Sequence, residues 1–148
     1  MTVIACNAKE MAADTLVTLD NHPGYHTTKI FRLGDGSIVG GAGGHGLDDM
    51  LAWLRAGEIE GNAPVFHEWE RAPDFVVLRL KPDGIWLYAD GVYAERMKER
   101  TYAIGSGVDI ALYALRHLKA KPADAVRAAC KLSPGCGGPV ETLRLQSR

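Results

Sequence analysis

Residues Lys29 to Gly44 read KIFRLGDGSIVGGAGG, and the fold turns on how this stretch is parsed. Lys29 to Leu33 alternates apolar and polar side chains, which is the period of a half-buried strand. Gly34-Asp35-Gly36 is a hairpin signal, because glycine takes the positive φ that a tight reversal needs. Ser37 to Gly43 then reads as the returning strand. Glycines inside a strand allow two readings, a bulge or bend, or a backbone left bare so that another chain can approach it. Both stay open on these residues alone. The run GAGGHG also invites a dinucleotide-binding reading, but no βαβ unit surrounds it.

Upstream, Val3 to Ala8 reads as a strand and Met11 to Val17 as a second, with Lys9-Glu10 as the tight connection. Asn21 to Thr28, NHPGYHTT, reads as a polar loop. Downstream, Gly46 to Ala56 shifts to helical period, with Leu47, Met50, Leu51 and Leu54 on one face and Gly57 as the stop. Asp48 and Asp49 sit in its first turn, where carboxylates favour the helix dipole. Glu58 to Pro73 has no clean period and reads as a loop with a short helical turn around FHEWER.

Phe75 to Leu80 and Ile85 to Ala89 flank KPDG and form the clearest hairpin. Tyr102 to Ile104 is a short strand entering Gly105-Ser106-Gly107. A helix follows, marked by Val108, Ala111, Leu112, Leu115 and Leu118. Pro122 opens another, where a missing N–H costs nothing. The stretch SPGCGGP ends that helix, and VETLRL closes the chain as a strand. Segregated hairpins and helices predict an α+β fold with antiparallel sheets, as one domain over residues 1–148.

The bulk properties narrow the function. A net charge of -1 gives no electrostatic footprint for nucleic acid or for an anionic membrane. No apolar run approaches the roughly 20 residues that span a bilayer. The start lacks the pattern of a secretory signal, so a cytoplasmic protein is expected. Cys6, Cys130 and Cys136 show no C-x-x-C spacing, and the histidines are scattered, so a zinc site is not expected.

Thr2 is the candidate reagent. Aminopeptidases generally remove Met1 when the next side chain is small, leaving a free α-amine beside the threonine hydroxyl. An α-amine has a reference pKa near ~7.7–8.0, so it can act as the base for its own hydroxyl. Such a site still needs a cation by the amine, a carboxylate to hold the cation, and N–H donors for an oxyanion. Asp14, Lys29, the glycines from Gly40 to Gly44 and Ser106 supply those types. Each also has a bland reading: Asp14 with Lys29 as a structural ion pair, and Ser106 as a helix cap.

Taken in order, TVIAC, MAADT, KIFRLGDGSIVGGAGG, FVVLRLKPDGIWLYADG, YAIGSGVDIALYALR and GGPVETLRL resemble the N-terminal-nucleophile hydrolases of the proteasome class, the HslV-like peptidases in particular. The resemblance implies a four-layer αββα sandwich. It implies Thr2 as nucleophile and base, Lys29 as the lysine that tunes the amine, and Asp14 as the aspartate that holds it. It implies Gly41 as oxyanion donor, Gly43 as a backbone position pairing with substrate, and Ser106 as a hydrogen-bonding partner near the terminal amine. Val39 is expected to help line the pocket beside the nucleophile.

The resemblance further implies a peptide or unfolded-protein substrate, an oligomer of identical chains and an ATPase unfoldase as partner. No cofactor is required by this chemistry. A monovalent cation on the backbone carbonyls of Cys130, Ser133 and Cys136 is implied. The chain departs from the pattern in two places. Ser133 stands where proteasome subunits carry an aspartate, with Cys136 where serine is usual, and the central helix pair is shortened, with Glu58–Pro73 in place of its second helix. A non-catalytic assembly or interaction module of the same fold therefore stands as the alternative.

Overall fold

The structure is a computed structural model and describes residues 1–20, 22–66 and 72–147. Its strands are β1 (Val3–Cys6), β2 (Glu10–Ala13), β3 (Leu16–Leu19), β4 (His22–His26), β5 (Ile30–Arg32) and β6 (Ile38–Gly43). After α1 (Leu47–Arg55) come β7 (Phe75–Lys81), β8 (Gly84–Ala89), β9 (Ala94–Arg96) and β10 (Tyr102–Gly105). Helices α2 (Val108–His117) and α3 (Pro122–Leu132) precede the last strand, β11 (Glu141–Arg144). Every strand pairing is antiparallel. One sheet runs β10-β1-β2-β11, a second runs β5-β6-β7-β8-β9, and β3-β4 form a separate ribbon.

Strand period sorts the side chains into cores. In β1, Val3 and Ala5 face one way while Ile4 and Cys6 face the other, and all four are buried. Val3, Ala5, Ala12 and Ala103 meet Ala111, Ala114, Ala125 and Ala129 of α2 and α3. These small side chains let the helix pair lie close to the first sheet. The opposite face, Ile4, Cys6, Met11 and Ala13, shares a core with Ile38, Leu78, Leu80 and Ile85 of the second sheet. The far face of that sheet, Val39, Phe75 and Val77, packs on Met50 and Leu54 of α1. Each large side chain fully covered in these cores contributes about 1.5–3 kcal/mol. With both faces covered, even antiparallel strands such as IVGGAG and FVVLRL read as near-continuous apolar runs.

One polar group interrupts the α1-facing core. Arg79, 6% exposed, donates to Ser37 Oγ (3.0 Å), Tyr88 Oη (3.1 Å), Asp35 Oδ2 (2.9 Å) and the Glu58 carboxylate. Burial works against its charge, yet the bonds to Tyr88 and Glu58 outweigh that and hold the guanidinium protonated. The network ties the β5–β6 turn and the chain just after α1 to the middle of β7.

Two readings of the sequence are corrected. Met11–Val17 is not one strand: it splits into β2 and β3 at Asp14-Thr15. Thr15 N and Leu16 N both donate to Gly137 O (3.1 Å each), which pulls the chain out of the first sheet. Most of the expected loop Asn21–Thr28 is strand β4, paired with β3 through Leu16↔His26 and Val17↔Tyr25. The edge strand β9 lies within a stretch that carries no period of its own. The core of the helical turn expected around FHEWER falls at residues 67–71, outside the described residues.

Candidate active site

Thr2 precedes β1, and bonds to its own carbonyl and to the residues on either side of it hold it in place. Asp14 caps the facing strand β2 with a carboxylate that is 0% exposed. Its Oδ1 accepts from Val3 N (3.0 Å) and from Lys29 Nζ (2.9 Å), and its Oδ2 accepts from Gly137 N (3.1 Å). Lys29, next to β5, also donates to Leu16 O (2.7 Å) and Met1 O (2.9 Å). The ammonium is therefore one peptide group away from the Thr2 nitrogen. Burying both partners of this pair would be costly if either were alone, and the surrounding N–H and C=O groups offset that cost.

Ser106 Oγ donates to Thr2 O (3.3 Å) and lies 3.5 Å from Cys136 Sγ. It does not cap α2, whose N-cap is Gly107 with no side-chain bond. Gly105 before it has φ of +100°, and a Cβ there would overlap Thr2 O. Only glycine brings β10 this close to residue 2. Met1 packs its side chain on Gly135, where a Cβ would overlap the Met1 sulfur.

The glycine strand supplies an open edge. β5 pairs with β6 only as far as Ile30↔Gly40, while β7 stays paired through Gly43↔Phe75. From Gly41 to Gly43 the β5-facing edge of β6 is therefore left unpaired by strands among the described residues. Gly43 has φ of +127° and no room for a Cβ beside Asp74 O. Two cavities meet there. One, of about 460 Å3, is lined by Thr2, Gly43, Asp74, Asp90 and Ser106. The other, of about 610 Å3, is lined by Thr2, Gly41, Phe31, Leu47, Leu51 and Arg55. Met1, Thr2 and Gly43 border both.

Val39 does not line either cavity. It shares the α1-facing side of β6 with Gly41, two residues on, but is 0% exposed beneath Met50 and Leu54. The apolar wall comes from Phe31, Leu47 and Leu51 instead. Leu47 and Leu51 were visible in the helical period, but as half-buried members of a face whose Met50 and Leu54 are covered. The contributions of Leu16 O, Gly137 N and Gly135 are made by backbone, which leaves no side-chain signal in a sequence.

Two of the thiols, Cys6 and Cys130, are poor rivals to the hydroxyl. Burial pushes the Cys6 thiol up to about 12, and it pushes Cys130 up to about 11, helped by the negative charge of Asp14 and by Cys136. Around Cys130, Ser133 and Cys136, residue 134 is proline, so the Cys130 carbonyl has no N–H four residues on. Ser133 O already accepts from Cys136 N (3.1 Å). These carbonyls are of the type a hard monovalent cation takes, with part of their capacity in use. Among the described residues, no three His, Cys, Asp or Glu side chains are grouped to hold a metal. No helix there is long and apolar enough to cross a membrane.

Comparison with solved structures places the fold. Thiobacillus denitrificans BPH matches with a TM-score of 0.69 and 21% identity over 99% of both chains. The same protein in complex with epoxomicin matches at 0.69 and 20% identity, again over 99% of both. Eukaryotic HslV from Trypanosoma brucei matches at 0.68 and 15% identity over 99% of both. The chain thus has an HslV-like fold of mixed α+β class. No protein-family model matches the sequence, and no curated protein matches it.

Proposed function

We propose that this chain is a threonine-type amide hydrolase, a peptidase acting through Thr2 after Met1 is removed. The observation that carries the reading is the Asp14–Lys29 pair (2.9 Å) aimed at the peptide group ahead of Thr2, where two cavities and an open strand edge converge. In the reaction, Thr2 Oγ forms a C–O bond to the substrate carbonyl carbon as the α-amine takes the hydroxyl proton. Gly41 N–H faces the oxyanion, and Lys29 disfavours a second positive charge on the amine. Collapse breaks the C–N bond, and the proton leaves with the departing amine. Water then hydrolyses the Thr2 ester, returning the hydroxyl.

The substrate in this reading is a peptide or unfolded segment laid along Gly41–Gly43 as an added strand. The packing order of α2–α3, first sheet, second sheet and α1 supports the αββα sandwich, as one domain over residues 1–148. An oligomer of identical chains, an ATPase unfoldase partner and a cytoplasmic location belong to the same proposal. So does a monovalent cation at the carbonyls of Cys130, Ser133 and Cys136. Exposed Tyr113 (57%), Leu118 (64%) and Leu132 (73%) on and beside the outer helices supply apolar surface for assembly.

Intact-protein mass measured with and without a peptide epoxyketone tests the activity. That electrophile closes a ring on an adjacent hydroxyl and amine, so one adduct on protein lacking Met1 is expected. Active protein that retains Met1 would overturn the reading. The non-catalytic alternative is favoured by one observation, the seating of Met1 with its side chain on Gly135 and its carbonyl on Lys29. Retained Met1 in a stable, unlabelled oligomer is its expected outcome.

A further inference from the structure

The larger cavity carries a charge whose placement says which side chain it takes. Leu47, Leu51 and Arg55 recur at four-residue spacing on α1, so they form one wall along the helix. Leu47 lies against Gly41, near the reacting end. Phe31 pairs with Val39, two residues back along β6 from Gly41, which sets it roughly 7 Å farther along the sheet. Over the Phe31 ring sits the Arg55 guanidinium, 4.1 Å from the ring centroid.

Stacking fixes the plane of a guanidinium and leaves its edge donors free to point outward. Arg55 forms no ion pair among the described residues, whereas the other cation of the cavity, Lys29, is engaged by Asp14. The cavity also has a carboxylate, Asp48, exposed as Arg55 is, which stands about two helical turns, roughly 10 Å, from Arg55 along α1. The end beside Gly41 thus has an apolar wall at Leu47, and the far, exposed end presents an oriented cation. A side chain that fits both has two methylenes to pass Leu47 and Leu51 and a carboxylate at its tip.

We infer that Arg55 is a specificity-determining residue and that the cavity selects glutamate next to the bond that Thr2 attacks. This inference rests on the proposed amide hydrolase and names its substrate class. A carboxylate accepting two N–H bonds from one guanidinium is a strong, geometry-selective contact. Glutamine keeps the shape and loses the charge, aspartate falls short by one methylene, and lysine is repelled.

The test uses four tripeptide epoxyketones identical except for the residue beside the electrophile, which is Glu, Gln, Leu or Lys. The rate of adduct formation on Met1-processed protein is followed by intact mass. The Glu probe is expected to react at least about 10-fold faster than the Gln probe, the scale of a charge-assisted bond. Arg55→Met should erase that ratio, and Arg55→Glu should move the preference to the Lys probe. Equal Glu and Gln rates, or a ratio that survives Arg55→Met, would overturn the inference while Thr2 labelling by the Leu probe leaves the hydrolase reading standing. Absence of labelling by all four probes would overturn both.

Discussion

Asp14 and Val3 hold each other twice. Val3 N donates to Asp14 Oδ1 (3.0 Å), and Asp14 N donates to Val3 O (3.2 Å). The pair sits just beyond Ile4↔Ala13, the last register pair of β1 with β2. A side-chain oxygen there takes the place of a ladder carbonyl, and the strand ends where the carboxylate begins. Residue 2 is therefore placed by the same group that holds Lys29.

Asp14→Ala should be among the most destabilising single changes in the chain. It strips Val3 N, Gly137 N and the largely buried Lys29 ammonium of an acceptor at once. The expected cost is about 3–5 kcal/mol, the range for breaking a buried ion pair from one side. Urea denaturation checks it, and an unchanged midpoint would mean that Lys29 and the strand ends find other partners.

Thr2→Ala should leave the fold in place and remove the chemistry. The hydroxyl of Thr2 supports none of the cores, so the unfolding midpoint should move by less than about 0.5 kcal/mol. Adduct formation and peptide cleavage should fall at least about 10³-fold, as for loss of other nucleophiles. Thr2→Ser should keep measurable labelling. Full labelling of the alanine variant would assign the nucleophile elsewhere.

Gly105→Ala should act on residue 2 directly. Its φ is +100°, and its Cβ would overlap Thr2 O. Backbone strain alone costs about 1–3 kcal/mol, and the overlap adds to it. Gly36→Ala is the control, because Gly36 has φ of +86° but nothing within 4 Å of an added Cβ. Stability should fall in both, more in Gly105→Ala, whereas labelling of Thr2 should slow only in Gly105→Ala. Parallel losses in the two variants would show strain without an effect on the site.

Asp35 gives a pH signature away from the site. Burial opposes its ionisation, but bonds from the Ser37 hydroxyl and N–H and the charge of Arg79 outweigh that and hold the carboxyl below its usual range. A depressed folded value means that its stabilisation is fully present above the unfolded pKa, about 3.9, and is lost as pH falls through the folded one. Asp35→Asn should therefore cost stability at pH 7, with the difference from wild type shrinking below about pH 4. The Asp35 side chain is 50% exposed, so solvent screening keeps the effect below about 1 kcal/mol. Denaturant midpoints across the acid range measure it, and a difference independent of pH would place the effect in packing.

The hairpins and helices were legible because their information is local. KPDG and GDG carry their own turn chemistry, and Leu47, Met50 and Leu54 carry the period of α1. The break at Asp14-Thr15 was not legible, since Gly137, more than a hundred residues on, makes it. Thr2, Asp14, Lys29 and Ser106 could be singled out by residue type. Their convergence depends on sheet register, and it came into view only through resemblance. Val39 was misplaced because an apolar residue beside the open edge reads the same whether a helix or a ligand covers it.

The Lys29 ammonium has one further consequence. An ammonium carries three N–H groups, and here they meet Asp14 Oδ1, Leu16 O and Met1 O. Its valence is full. Two of those acceptors belong to the folded body of the chain, and the third would leave with residue 1. Trimming would therefore unveil a donor that is already aimed, with no side chain having to swing into place, so that the orientation of the cation is settled during folding and merely uncapped afterwards.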